Sequence, residues 1–170
     1  KNVERLAKTA KFPFLASNIL DAATKKRIAY ALPYLIKEVD GVKVAVVGLT
    51  TSKMRSVTFE KNIKGLEFQR ETAAMKGVME ELKERGAQVV MVAAHVGFEG
   101  PDASPSFEGE KYLAKNVPGI RLILGGHTHF KLARPYVEPE TGTAIVHNQS
   151  GLQTVTQTVL RVWKKSGKVY

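Results

Sequence analysis

The sequence predicts an α/β domain with mixed sheets, and three observations carry that reading. Two apolar runs, residues 32–39 and 42–49, flank Asp40-Gly41, a dipeptide that supplies the positive φ angles of a tight hairpin turn. Met75, Val78, Met79 and Leu82 fall at i, i+3, i+4 and i+7 and are followed by the nearly continuous apolar run Gln88 to Ala94, so the middle of the chain reads helix then strand. From Thr143 onward β-branched residues become frequent and the texture turns to strands. A β-rich start, a strand-helix-strand middle and a β-rich end together define the class.

In chain order, Val3, Leu6, Ala7 and Ala10 follow helical spacing from the second residue, with Lys1 a poor N-cap, which reads as a start within a domain. Phe12 to Ser17 reads as a short apolar strand and Asp21 to Arg27 as a basic turn. After the hairpin, an amphipathic helix from about Glu71 to Arg85 stops at Gly86. The run from Gln88 to Ala94 has the composition of a strand covered on both faces, and it ends at His95. A loop with Gly100, Pro101 and Pro105 leads to a short helix near Glu108 to Asn116. Ile120 to Leu124 then forms a second buried strand, ending at Gly125-Gly126-His127. Thr143 to Val146, Leu152 to Trp163 and Lys168 to Tyr170 read as the closing strands.

With 170 residues and 44% hydrophobic content, residues 1–170 fit a single domain. No apolar run approaches the ~20 residues of a membrane-spanning helix. The absence of cysteine excludes disulfides, thiolate metal sites and cysteine nucleophiles, and leaves the redox compartment open. A net charge of +10 suits an anionic partner: a phosphorylated substrate, nucleic acid or a membrane surface. The basic residues are dispersed and do not alternate with aromatics, which is the pattern of a solvated surface rather than a stacking platform. There is no Ser-His-Asp pattern, no Gly-rich phosphate loop ending in Lys and no zinc-finger spacing.

The chemistry concentrates in histidines. His95, His127 and His129 lie just past the C-terminal ends of predicted buried strands, where open α/β sheets place their ligand sites. Imidazole is a common nitrogen donor to divalent transition metals, and His127 and His129, two residues apart on an extended loop, can project to the same side. Gly125 and Gly126 let the backbone turn off the strand and approach a metal or phosphate closely. Thr128 can bond to the backbone. His147, at another strand end, has a structural role by default, as do Asn18 and Thr50-Thr51 through backbone bonding and capping. Glu99, Asp102 and Glu108 follow His95 and are the candidates for an outer carboxylate that orients an imidazole.

Gly125-Gly126-His127-Thr128-His129, preceded by Ala94-His95-Val96-Gly97, resembles the last two motifs of the calcineurin-like metallophosphoesterases. Residues 12–19 (Phe-Pro-Phe-Leu-Ala-Ser-Asn-Ile), Gly48-Leu49-Thr50-Thr51 and Val117-Pro118-Gly119-Ile120 are similar to the bacterial 5'-nucleotidase and 2',3'-cyclic-nucleotide phosphodiesterase branch. The resemblance implies part of a four-layer α/β/β/α sandwich and hydrolysis of phosphate esters, nucleotides above all. It implies two divalent metal ions (Mn, Zn, Fe, Co or Ni), with His95 and His127 as ligands of one and His129 as a ligand of the other. A periplasmic or extracellular setting goes with that branch, although no signal is visible in this chain.

The family's earlier motifs are absent: an Asp and His separated by one residue, a Gly-Asp pair, and a Gly-Asn-His segment. They carry the bridging aspartate, an asparagine ligand and the catalytic histidine. This chain therefore reads as the C-terminal portion of a catalytic domain, with no catalytic residue of its own. The missing N-terminal half is its expected partner, and metal binding by the isolated chain is expected to be weak. Arg121 stands where the family commonly has an acidic residue. Sheet edges and apolar faces left open favour a partner or aggregation. Two alternatives stay open: a non-catalytic basic module that binds nucleic acid or an acidic partner, and a related hydrolase on the same scaffold, such as a sulfur-oxidation thiohydrolase or a sugar-nucleotide hydrolase.

Overall fold

The computed structural model describes residues 2–98, 108–163 and 168–169. The first helix, α1 (Asn2–Thr9), follows the predicted spacing, yet its apolar stripe faces solvent, with Val3 and Leu6 about half exposed. Phe12 to Ser17 does not form the predicted strand. Its backbone bonds go to two different partners, Ala16 N–H to Leu32 O (2.8 Å) and Ser17 N–H to Gly48 O (2.8 Å), so it crosses its neighbours instead of running beside one. Strand β1 (Ile19–Asp21) begins only after it. The basic turn at 21–27 is present, with the Asp21 carboxylate accepting from the Ala23 and Thr24 amides.

Strands β2 (Tyr34–Val39) and β3 (Val42–Thr50) form the predicted hairpin, Val39 facing Val42. Asp40 and Gly41 both take positive φ (50° and 79°), as a two-residue turn of that twist requires. Two short helices, α2 (Met54–Val57) and α3 (Glu60–Ile63), and a three-residue strand β4 (Leu66–Phe68) follow. These carry no sequence signal because each is too short for a hydrophobic period. Strand β4 pairs antiparallel with β1.

Helix α4 (Glu71–Glu84) presents Met75, Val78 and Leu82 to the core and ends at Gly86 with φ 72°. Next come β5 (Val89–His95), α5 (Glu110–Asn116), β6 (Ile120–Gly125), β7 (Tyr136–Val137) and β8 (Ala144–His147), then β9 (Val162–Trp163) paired with β10 (Lys168–Val169). The six-stranded sheet has the order β2-β3-β5-β6-β8-β7. Its four inner strands are parallel and its two edges antiparallel. Ala45, Val47, Leu49, Val92, Ile123 and Ile145 from one face interlock with Val78, Leu82, Leu113 and Ala114 of α4 and α5.

The expectation that β5 is covered on both faces fails on the second face, where Ala93 is exposed and Met91 only partly buried. The same face of β6 carries Leu124, 38% exposed. Residues 152–161 lie near this face but do not form the predicted long strand. Thr156, Thr158, Leu160 and Val162 line a cleft of about 490 Å³ with Val44, Met91, Leu122 and Leu124, while Val155 and Val159 point to water. The alternation is strand-like, but among the described residues the pairing is confined to Val162–Trp163.

Two buried carboxylates tie the start of α4 to its surroundings. Glu71 accepts from the Ser52 amide (2.7 Å) and hydroxyl (2.8 Å). Glu108 accepts from the Thr72 amide (2.6 Å) and hydroxyl, and Arg70 Nη2 lies 2.8 Å from its other oxygen. Glu108 is thus a cap supplied from a distant loop, since the N-cap residue Arg70 offers no side-chain acceptor. Glu108→Ala is expected to cost roughly 1–3 kcal/mol by stranding the Thr72 amide, measured as a lower urea midpoint with unchanged slope. An unchanged midpoint would contradict the capping role.

Candidate metal centre

The four parallel strands end along one edge of the sheet, and that edge gathers the histidines. Thr50 pairs with His95 and Gly125 with His147, and these four are the last residues of β3, β5, β6 and β8. Strand polarity alone does this: parallel strands in register bring their C-terminal residues side by side.

His95 and His127 meet directly, with ring centroids 5.0 Å apart and planes at 70°. Gly126 makes this possible, because a Cβ there would lie 3.2 Å from His95 Nδ1. His127 is half-buried, while His95 and His129 are exposed. Partial desolvation at the sheet edge, and secondarily the nearby His127 and His129, hold the His95 imidazole below its usual value. Thr128 accepts from the Phe98 amide (3.2 Å), pinning the histidine loop to the turn after β5.

The loop itself is not extended, as the sequence suggested. His127 and His129 sit at φ 89° and 56°. A non-glycine residue at positive φ costs on the order of 1–3 kcal/mol and persists where surroundings over-determine it. Both histidines carry that cost at one end of the sheet.

Asn18 does not face the edge. Its side chain is fully buried, donating to Thr50 O (2.7 Å) and Gln69 O (3.1 Å) and accepting from the Thr50 amide (3.1 Å). Thr51 accepts from the Lys53 amide. Of the three carboxylates considered for an imidazole partner, Glu99 and Asp102 lie outside the described residues and Glu108 serves α4. The residue that does reach an imidazole is Glu110, whose oxygens lie 3.0 and 3.1 Å from His147 Nδ1. Glu110 reads as an ordinary first-turn helix residue, so the signal for it lay only in its three-dimensional position. The default structural reading of His147 holds for Nδ1. Its Nε2, among the described residues, is buried with no hydrogen-bond partner.

Burial pushes the Glu110 carboxyl up to about 8 and the His147 imidazole down, so the pair is a neutral acid donating to a neutral ring. Ordinary values are about 4.5 and 6.5. Between these, folded and unfolded chains each hold one proton here, and stability is flat. Above 6.5 the folded pair keeps a proton the unfolded chain has lost, so stability falls as pH rises toward 8. Below 4.5 the unfolded chain binds two protons while folded His147 resists the second, and stability falls again. Urea titrations across pH should show this two-sided profile, and Glu110→Gln should remove its alkaline limb.

Among the described residues, no group of three or more His, Cys, Asp or Glu is arranged to hold a metal ion. The adjacent imidazoles His95 and His127 fit a metal as nitrogen donors, but no described carboxylate joins them.

The architecture is that of the calcineurin-like phosphoesterases. The chain aligns with the "calcineurin-like phosphoesterase YfkN" of Bacillus subtilis at 27% identity and a TM-score of 0.69, covering 85% of this chain and 48% of that one. It aligns with the "Sulfate thiohydrolase SoxB" of Thermus thermophilus at 27% identity and 0.73, covering 87% and 25%. A 5'-nucleotidase of Vibrio cholerae is 33% identical over 123 residues, 70% of this chain and 22% of the relative. A 2',3'-cyclic-nucleotide 2'-phosphodiesterase/3'-nucleotidase of Salmonella typhimurium is 31% identical over 130 residues, 71% and 20%. No family model matches. The chain's homologues are thus 5'-nucleotidases and 2',3'-cyclic-nucleotide phosphodiesterases and its structural neighbours are calcineurin-like phosphoesterases, and the chain matches the C-terminal part of their catalytic domain. It spans about a fifth of the length of those two relatives.

Proposed function

We propose that this chain forms one side of a dinuclear site that hydrolyses phosphate esters, with nucleotides or cyclic nucleotides as substrates. His95, His127 and His129 are its nitrogen ligands. The observation that carries this reading is the contact of His95 with His127 at the C-terminal edge of the parallel strands, held by a loop whose two histidines both accept positive φ. The relatives' printed activities support the reaction class.

In this reading the chain's own residues do three things. His95 offers an imidazole from the end of β5. Gly126 gives that ring room, so that His127 can stand against it. Thr128 fixes the loop through the Phe98 amide. Divalent ions bound here, of Mn, Zn, Fe, Co or Ni, supply Lewis acidity toward phosphoryl oxygens and acidify water. The described part of the site is all imidazole, so we propose that acidic donors come from elsewhere in a longer catalytic domain, the second half of a four-layer sandwich. A periplasmic or extracellular setting follows from the same resemblance. Among the described residues, no helix is long and apolar enough to cross a membrane.

Mixing this chain with a polypeptide that supplies the Asp-x-His, Gly-Asp and Gly-Asn-His motifs is expected to yield Mn²⁺- or Zn²⁺-dependent hydrolysis of AMP or a bis-aryl phosphate. The chain alone is expected to be nearly inactive. Persistent inactivity with both halves and metal present would sink the proposal. The likeness to SoxB favours one second reading, a thiohydrolase on the same scaffold. A sulfur-ester substrate cleaved by the mixture in preference to AMP would select it.

A further inference from the structure

We propose that Glu110 and His147 are positioning residues for the histidine loop: they clamp the Gly125-Gly126 backbone from below and so set where the His127 ring stands against His95. The metal-site function of those rings rests on the reading above; the clamp itself does not.

Three contacts define it. Glu110 Oε1 accepts from the Gly126 amide at 3.1 Å. The same carboxyl sits where a Gly125 side chain would be, a Cβ there lying 2.3–2.4 Å from Oε1, Oε2 and Cδ. From the far side His147 Nδ1 lies 3.0 and 3.1 Å from the two oxygens, and His147 faces Gly125 in the β6–β8 register. Both side chains are fully buried. Glu110 is in turn placed by its own amide, which donates to Gly97 O (2.8 Å) just after His95. One helix residue thus bonds to both strand ends that present the histidines.

This explains two features together. Gly125 lacks a side chain because Glu110 fills the space. His127 tolerates φ 89° because the residue before it is held by a buried acceptor. Outer partners of metal-ligating side chains commonly matter roughly 10–100-fold for affinity, and here the partner acts through the backbone rather than on a ring nitrogen.

The test compares ¹⁵N,¹³C-labelled, metal-free chain with Glu110→Met, which keeps bulk but removes the acceptor, and with Glu110→Gln, which keeps an acceptor for Gly126 and a donor for His147. In folded Glu110→Met, the Gly126 amide should exchange at least about tenfold faster and the His95 and His127 ring resonances should shift. Co²⁺ affinity should drop by roughly tenfold or more. Glu110→Gln should return all three close to wild type. Glu110→Met with wild-type exchange and ring resonances would overturn the proposal. If wild-type Co²⁺ binding is indifferent to His127→Ala, the metal reading fails, and exchange and ring signals still decide the clamp. Should Glu110→Met not fold, His147→Leu removes the second anchor and is read the same way: faster Gly126 exchange supports the clamp, and unchanged exchange refutes it.

Discussion

Gly48→Ala is expected to destabilise the fold by about 3 kcal/mol or more. Gly48 lies inside β3, and a Cβ there would fall 2.3 Å from Leu15 O, 2.4 Å from Leu15 C and 2.5 Å from Leu15 Cβ. Two of those atoms are backbone and cannot swing aside. Either β3 bends out of the sheet or residues 15–17 lift off it. Lifting breaks the bonds from the Ser17 amide and hydroxyl to Gly48 O (2.8 and 2.7 Å) and disturbs Asn18, whose buried amide joins Thr50 to Gln69. The contrast is Gly77, in the exposed part of α4 with nothing within 4 Å of its Cβ position. Gly77→Ala should stabilise by about 0.5–1 kcal/mol through helix propensity. Urea denaturation of the two variants should therefore move in opposite directions. Similar midpoints for both would show that the crossing of residues 12–17 over β3 is not as described.

His127→Ala and His127→Gly are expected to separate function from strain. Both remove the imidazole that touches His95, and both should abolish metal-dependent hydrolysis in the completed site by roughly a hundredfold or more. Their stabilities should differ. Alanine keeps the penalty of φ 89°, whereas glycine adopts that angle freely, so His127→Gly should be more stable than wild type by about 1 kcal/mol. A functional residue held at a cost to the fold has this signature. If His127→Gly is less stable than wild type, the ring contributes packing that outweighs its strain, and the argument from backbone geometry falls.

The parts of this fold that were legible in the sequence are those governed by local chemistry. Asp40-Gly41 dictates its turn, Met75 to Leu82 its helix, and the run before His95 its strand. The arrival of three histidines at one edge followed from where those strands end. What was not legible depends on packing between distant segments. Residues 12–17 and 152–161 have strand composition, but the first divides its hydrogen bonds between Leu32 and Gly48 and the second runs along a sheet face. The second face of β5 and β6 has the composition of a covered surface, yet Ala93 and Leu124 are exposed. Glu110 escaped notice because its partners, Gly126 and His147, lie 16 and 37 residues away. The positive φ of His127 and His129 was not legible, since histidine enters that region more often than most residues yet still only in a small minority of cases.

The measurement closest to the central claim is a Co²⁺ titration of this chain followed by visible absorption, with His95→Ala, His127→Ala and His129→Ala in parallel. The account predicts weak binding whose ligand-field bands are lost with His95→Ala or His127→Ala and altered with His129→Ala. Absence of binding by the wild-type chain, or bands that survive all three substitutions, would contradict it.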